Sequence, residues 1–478
     1  MKKLLLATAV VAGASMGVAN LAAAQEISPL QGTTVTKLFP GHASTYYNNN
    51  YMWTGTPTKG PVANPTPGTM VIHLGALVLA ETGASWASGL GGATSEINLA
   101  TGTSNKVAPI FMQSYVRLYP GVDAMAANGL RYGAAVEIRE NFFGNPGPGA
   151  SAETLTSGGT GMSVFQTLFV RREFVYLGAD NLGVLRMGET DGVIGTFDEG
   201  GATTGVFLSP SGTIVGGDLQ GSITSSWMIP YFAAQTGNEY ASDKIFYDSP
   251  AFYGFDIAAE YAPHEFNNFG MAPGCLSAGT CPTISSSFEP GGGSLENNIY
   301  SVGVRYQGQV GPAAVLAYAL YMGAGHANYT GTVAALGNPA GSKYNGQFDN
   351  LSLGMFGANV TVAGLSVFGN VMHGAFNGIL APKAVGAPDA TGFGVGAKYT
   401  MGPWTFGGVY SQDDSQGSVA DVGLGQYHAW VGYFAATYNP SPGLTFYADY
   451  GYGQTHQGGP GGGDGRQQGF LFGTAVTW

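Results

Sequence analysis

Along most of the chain, apolar and polar residues alternate singly over runs of about ten positions, and Gly-, Asn- or Pro-containing stretches separate the runs. A period of two sends successive side chains to opposite faces of an extended strand. Sixteen such runs can be marked, at approximately 70–82, 108–120, 129–141, 164–178, 182–190, 242–249, 251–262, 298–307, 312–323, 348–358, 361–371, 391–400, 403–411, 426–438, 442–452 and 469–478. In the third, Leu130, Tyr132, Ala134, Val136 and Ile138 share one face, and Arg131, Gly133, Ala135, Glu137 and Arg139 share the other. The seventh sets Tyr253, Phe255, Ile257 and Tyr261 against Asp256 and Glu260, and the ninth gathers Leu316, Tyr318, Leu320 and Met322 on one face.

The links between runs fall into two kinds. Those after even-numbered runs are short, such as Ala179–Asn181, Asn359–Val360 and Met401–Gly402, whereas those after odd-numbered runs are all longer. Tight turns at one end and long loops at the other are the plan of an outer-membrane barrel. After the first two dozen residues no apolar stretch approaches the ~20 residues of a membrane-crossing helix. A sheet that crosses hydrocarbon must close on itself, because an unpaired N–H or C=O there costs several kcal/mol. The expected fold is therefore all-β, a 16-stranded antiparallel transmembrane β-barrel over residues 70–478. The soluble alternative is a large β-sandwich or β-helix adhesin. Sixteen strands leave an aqueous channel rather than a packed core.

Composition sharpens the choice. Charged residues are only 10% of the chain, too few for an ordinary soluble surface, and Gly alone contributes 79 residues. Residues 1–24 read as a secretory signal peptide: Lys2 and Lys3, an apolar run, then Ala22–Ala24 before a cleavage point at Gln25. Residues 25–69, with Pro57, Pro61, Pro65 and Pro67, read as an irregular leader. Removing Lys2 and Lys3 takes the formal charge from −12 to −14, which disfavours nucleic acid and gives a slight bias toward cations. Cys275 and Cys281 lie in a Gly- and Pro-containing link of an exported chain, where a disulfide is the expectation. The seven histidines are scattered without a closely spaced ligand set, and no phosphate-binding Gly-Lys motif occurs, so neither catalysis, metal nor cofactor is expected.

Six of the eight arginines fall in the second to fifth runs. Alternation places Arg117, Arg131, Arg139 and Arg186 on the water-facing side. Of the adjacent Arg171 and Arg172 only one can face inward, and the spacing to Thr167 and Glu173 slightly favours Arg171. These side chains make an electropositive sector, or pair with Glu137 and Glu173 to satisfy the wall. The link 191–241 is the longest, Gly-rich, and carries Asp191, Asp198, Glu199 and Asp218. Folded inward, its acids would face the arginines across the narrowest point; the alternative is an exposed loop. Phe470, Phe472 and Trp478 share one face of the last run, a lipid-side anchor.

The stretch Arg171–Phe197, RREFVYLGADNLGVLRMGETDGVIGTF, resembles the strand–turn–strand that leads into the constriction loop of general diffusion porins. MQSYVRLYPG at 112–121, GLRYGAAVEIRE at 129–140, YDSPAFYGFDIAAEYAP at 247–263 and the last strand resemble those of the alphaproteobacterial porins in order and spacing. The resemblance implies a homotrimer in outer-membrane lipid and lipopolysaccharide, with the third long loop folded inward as an eyelet. Its basic side would be Arg117, Arg131, Arg139, Arg171 or Arg172, and Arg186; its acidic side would be Asp191, Asp198, Glu199 and Asp218. It also implies that the aromatic C-terminal strand, ending at Trp478, is the signal for the barrel assembly machinery. The expected function is passive diffusion of small hydrophilic solutes and ions. A sugar- or nutrient-preferring channel and a structural or adhesive surface protein are the alternatives.

Overall fold

The structure, a computed structural model, describes residues 66–89, 95–98, 103–106, 110–140, 168–179, 182–197, 243–264, 297–325, 349–375, 383, 386–415, 427–457 and 463–478. The expected signal peptide, nearly all of the leader, Cys275, Cys281, Asp198, Glu199 and Asp218 lie outside these residues.

Sixteen antiparallel strands close into a barrel. In chain order they are β1 (Thr69–Gly89), β4 (Ile110–Met125), β5 (Arg131–Glu140), β6 (Leu168–Ala179), β7 (Gly183–Glu189), β8 (Asp243–Asp248), β9 (Phe255–His264), β10 (Asn297–Val310), β11 (Ala313–Gly323), β12 (Ser352–Val362), β13 (Leu365–Ala375), β14 (Ala390–Met401), β15 (Trp404–Ser415), β16 (Tyr427–Ser441), β17 (Leu444–Gln457) and β18 (Gly463–Thr477). A separate hairpin, β2 (Ser95–Asn98) and β3 (Thr103–Lys106), sits in the first long link. Closure is made by β1 and β18, where Leu77 lies opposite Thr477 and Ala76 and Trp478 exchange backbone hydrogen bonds of 3.0 and 3.2 Å. The barrel therefore has no free edge, which is what hydrocarbon demands.

The short turns fall at one end, as their chemistry requires. Tyr253 (φ 52) and Gly254 (φ 85) form a two-residue turn between Phe252 and Phe255, and Ala363 (φ 49) and Gly364 (φ 83) form another. Both central residues take positive φ, the geometry that matches strand twist. At the other end several strands outrun their alternating sequence. β1 continues to Gly89, β15 to Ser415 and β17 to Gln457, and β18 begins already at Gly463. The last long link, expected over 453–468, thus shrinks to 458–462. In the extensions of β15, β17 and β18 both faces are polar or glycine, so periodicity carries no signal although backbone pairing goes on.

Outward positions are apolar and exposed, among them Val175, Leu177, Ile257 and Val302. Aromatic contacts mark two levels. Near the short turns Trp404 lies 4.4 Å from Tyr438, and Phe255 lies 4.9 Å from Tyr306. Toward the long loops Trp86 meets Phe470, and Trp430 lies between Tyr410 and Tyr452. Such belts sit at membrane–water interfaces. Inward, aromatic rings lie over glycines directly opposite on the next strand: Tyr176 over Gly133, Tyr318 over Gly357, Phe368 over Gly396 and Tyr447 over Gly473. A methyl group at any of these glycines would overlap the ring. Part of the high glycine content is thus a set of sockets for inner-wall aromatics.

Candidate functional site

The wall formed by β4–β10 carries the charged side chains, and their partners decide what they do. Arg117, Arg131, Arg172 and Arg186 all point inward and are buried. Arg172 is the inward member of its pair, contrary to the slight preference for Arg171. The cause is a β-bulge: Glu137 faces Arg172, Ile138 faces Val170, and Arg171 is the residue left between. Leu168 and Val170 point outward before the bulge, Val175 and Leu177 after it, so the alternation resets there. Of the side chains of Arg139 and Arg171 nothing is described; the Arg139 backbone lies directly opposite Arg117. Glu173, expected as a luminal partner, lies on the exposed face instead.

Arg131, Arg172 and Arg186 are each engaged. Arg172 Nη2 donates to Asp191 Oδ1 at 2.6 Å, and its Nη1 makes a short ion pair with Glu137. Arg131 Nη2 lies 3.9 Å from Asp123 Oδ1, and Asp123 also accepts the Tyr176 hydroxyl. Arg186 stacks on Phe246, 3.9 Å from the ring centre, and donates to Thr190 and Thr196 at 3.3 and 3.0 Å. Tyr119 also turns inward, where it is 1% exposed, so it does not join the outer aromatic belt.

Beyond β7 the chain turns into a short helix, α1 (Val193–Phe197), every residue of which is buried. Val193, Ile194 and Phe197 pack in one cluster with Phe246, Ala258, Ile299, Tyr318, Leu320 and Met322. Those strand residues alternate with exposed Ile257 and Tyr321, so they belong to the inner face. The apolar face of the ninth run is therefore a seat for α1 and does not face lipid. Gly303 forms its floor: a Cβ there would come within 2.9 Å of Val193 and 3.0 Å of Phe197.

Charged groups fasten the seat. Val193 N–H donates to Glu260 Oε2 at 3.1 Å, satisfying a free donor at the helix start. Arg305, fully buried, donates to Asp256 Oδ2 at 2.6 Å, stacks 4.4 Å from the Phe197 ring centre, and reaches Thr196 O at 3.4 Å. Asp191, expected on an acidic side across the pore, is held by Arg172 within the arginine wall. Arg305, Lys244 and Gly303 escaped the sequence reading, which placed Glu260 on the polar face of its run but gave it no role at the site. Arg305 had a signal, its alternation with Ser301 and Gly303, but it lies far along the chain from the arginine group. The opposite arc adds inward carboxylates that were also missed: Glu81 on β1, Asp413 on β15 and Asp449 on β17. Tyr447 O–H donates to Glu81 at 2.7 Å.

A closed 16-stranded barrel with lipid-type residues outside and paired charges inside defines an outer-membrane pore. Residues 79–458 match the Gram-negative porin family, and the chain belongs to that family. OmpF of Salmonella typhi, solved as a complex with daunomycin, is similar at 14% identity with a TM-score of 0.52, over 85% of this chain and 97% of that one. The outer membrane channel DcaP of Acinetobacter baumannii is similar at 8% identity with a TM-score of 0.50, over 87% of this chain and all of the other. No curated protein matches. The chain is a passive diffusion channel of the outer membrane and not an enzyme.

Proposed function

We propose that the pore admits small hydrophilic solutes and ions through an eyelet narrowed by the loop that begins at α1, with a preference for cations. The supporting observation is the docking of α1, as far as Phe197, on the inner wall of the barrel. Cation preference follows from the partners of the wall charges. Arg131, Arg172 and Arg305 each face carboxylates within the same wall, so their fields close locally. Glu81, Asp413 and Asp449 add inward negative charge on the other arc. Selectivity in a narrow pore follows such local charge and width. Asp198, Glu199 and Asp218 would add acid to the eyelet, and Arg117 and Arg139 would supply its basic edge.

Assembly as a homotrimer in lipid and lipopolysaccharide, export through a cleaved 1–24 segment, and recognition of the Phe470, Phe472 and Trp478 strand by the assembly machinery complete this reading. A disulfide between Cys275 and Cys281 would stiffen one long loop. Conductance in planar bilayers tests the eyelet. Deleting 198–241 should enlarge the single-channel step, and a step of unchanged size would place the loop outside the lumen.

A further inference from the structure

We propose that His428 and His456 form a binding site for a divalent transition-metal ion of the zinc–copper type, on the outer rim of the barrel and separate from the pore. Four residues on adjacent strands stand in one cross-strand row. Asp414 of β15 is opposite His428 of β16, His428 is opposite His456 of β17, and His456 is opposite Asp464 of β18. The row shares the outward face with Tyr410, Trp430 and Tyr452, and lies on the long-loop side of that aromatic level. It belongs to the strand extensions that rise beyond the apolar band.

The hydrogen bonds fix the chemistry of both rings. His428 Nδ1 lies 2.5 Å from Asp414 Oδ1, and His456 Nδ1 lies 2.7 Å from Asp464 Oδ1. A carboxylate can only accept, so each Nδ1 carries a proton, and it is the neutral imidazole, with its lone pair on Nε2, that would bind a metal. Directly opposed residues hold their Cβ atoms about 4.5–5.5 Å apart, close enough for two imidazoles to reach one ion. A cavity of about 120 Å³ lies here, lined by both histidines with Trp430, Gln454, Asp464 and Arg466. A carboxylate behind each ligating imidazole is the arrangement that orients such rings and raises their basicity. Imidazole pairs suit zinc, copper and nickel, whereas calcium and magnesium seek all-oxygen shells. Among the described residues no cluster of three or more ligating side chains occurs, so water or a headgroup oxygen would complete the shell. Arg466 opposes the cation and lowers the affinity.

Calorimetric titration of Zn²⁺ into the untagged full chain, folded in detergent, tests this. The expected result is one saturable site per barrel. His428→Ala and His456→Ala should each weaken binding by about 10-fold or more, and Asp414→Asn and Asp464→Asn by about 10–100-fold. Arg466→Ala should tighten it. Bilayer conductance of every variant should match the parent, which shows that the barrel has folded. Absence of zinc binding by the parent chain would overturn the proposal. So would binding as tight as the parent's in both histidine variants, which would assign the metal to other residues.

Discussion

Arg172 joins two carboxylates from different parts of the chain, Glu137 on the wall and Asp191 at the entry to α1. Taking away one member of such a buried set strands the others in a poorly solvated site, at about 3–5 kcal/mol. Arg172→Ala should therefore release α1 while the barrel persists. Hydrogen exchange of amides 191–197 should speed up by about two orders of magnitude, with β13–β15 unchanged. Exchange as slow as in the parent would mean that the apolar seat alone holds the helix. Gly303 makes the complementary case, because its missing side chain lets α1 reach the backbone of β10. Gly303→Val should unseat Val193 and Phe197 and raise single-channel conductance without loss of folded barrel. Reduced conductance would show that the helix moves inward rather than away.

At the level of elements, the pairing of inner aromatics with facing glycines governs how neighbouring strands sit. Tyr447 lies over Gly473 and also donates to Glu81, linking β17, β18 and β1 across the closing seam. Gly473→Val displaces the ring and breaks that link, whereas Gly432, with open space where a Cβ would go, has no ring above it. Overpacking of this kind costs typically about 1–3 kcal/mol. Gly473→Val should lower the temperature at which the folded band is lost on a gel, and Gly432→Ala should leave it unchanged. Similar melting of the two variants would remove the socket from the account of stability. Strand existence was legible from alternation alone. The residue facing inward at 171–172 was not, because a bulge depends on the partner strand's register and adds no mark to its own sequence.

At the scale of the whole molecule, among the described residues, Arg131, Arg172 and Arg305 of one wall face carboxylates within it, and Glu81, Asp413 and Asp449 lie inward on the opposite arc. A reversal potential measured in a KCl gradient should show K⁺ favoured over Cl⁻. The combined Glu81→Gln, Asp413→Asn and Asp449→Asn change should shift the ratio toward Cl⁻. An anion-selective parent channel would contradict the local closure of the arginine fields.

Alternation, link lengths and the scarcity of charge determined by themselves that this chain is a closed sheet in a membrane, with sixteen strands and two unlike ends. They suffice because hydrocarbon penalises both a charge on the outer face and an unpaired backbone group, and each penalty acts residue by residue along a strand. Which apolar face receives α1, which arginine turns inward, and how Asp414, His428, His456 and Asp464 come to stand in one row were decided only by tertiary structure. Those outcomes depend on register between strands distant in sequence, and register is set by the closure of the whole barrel.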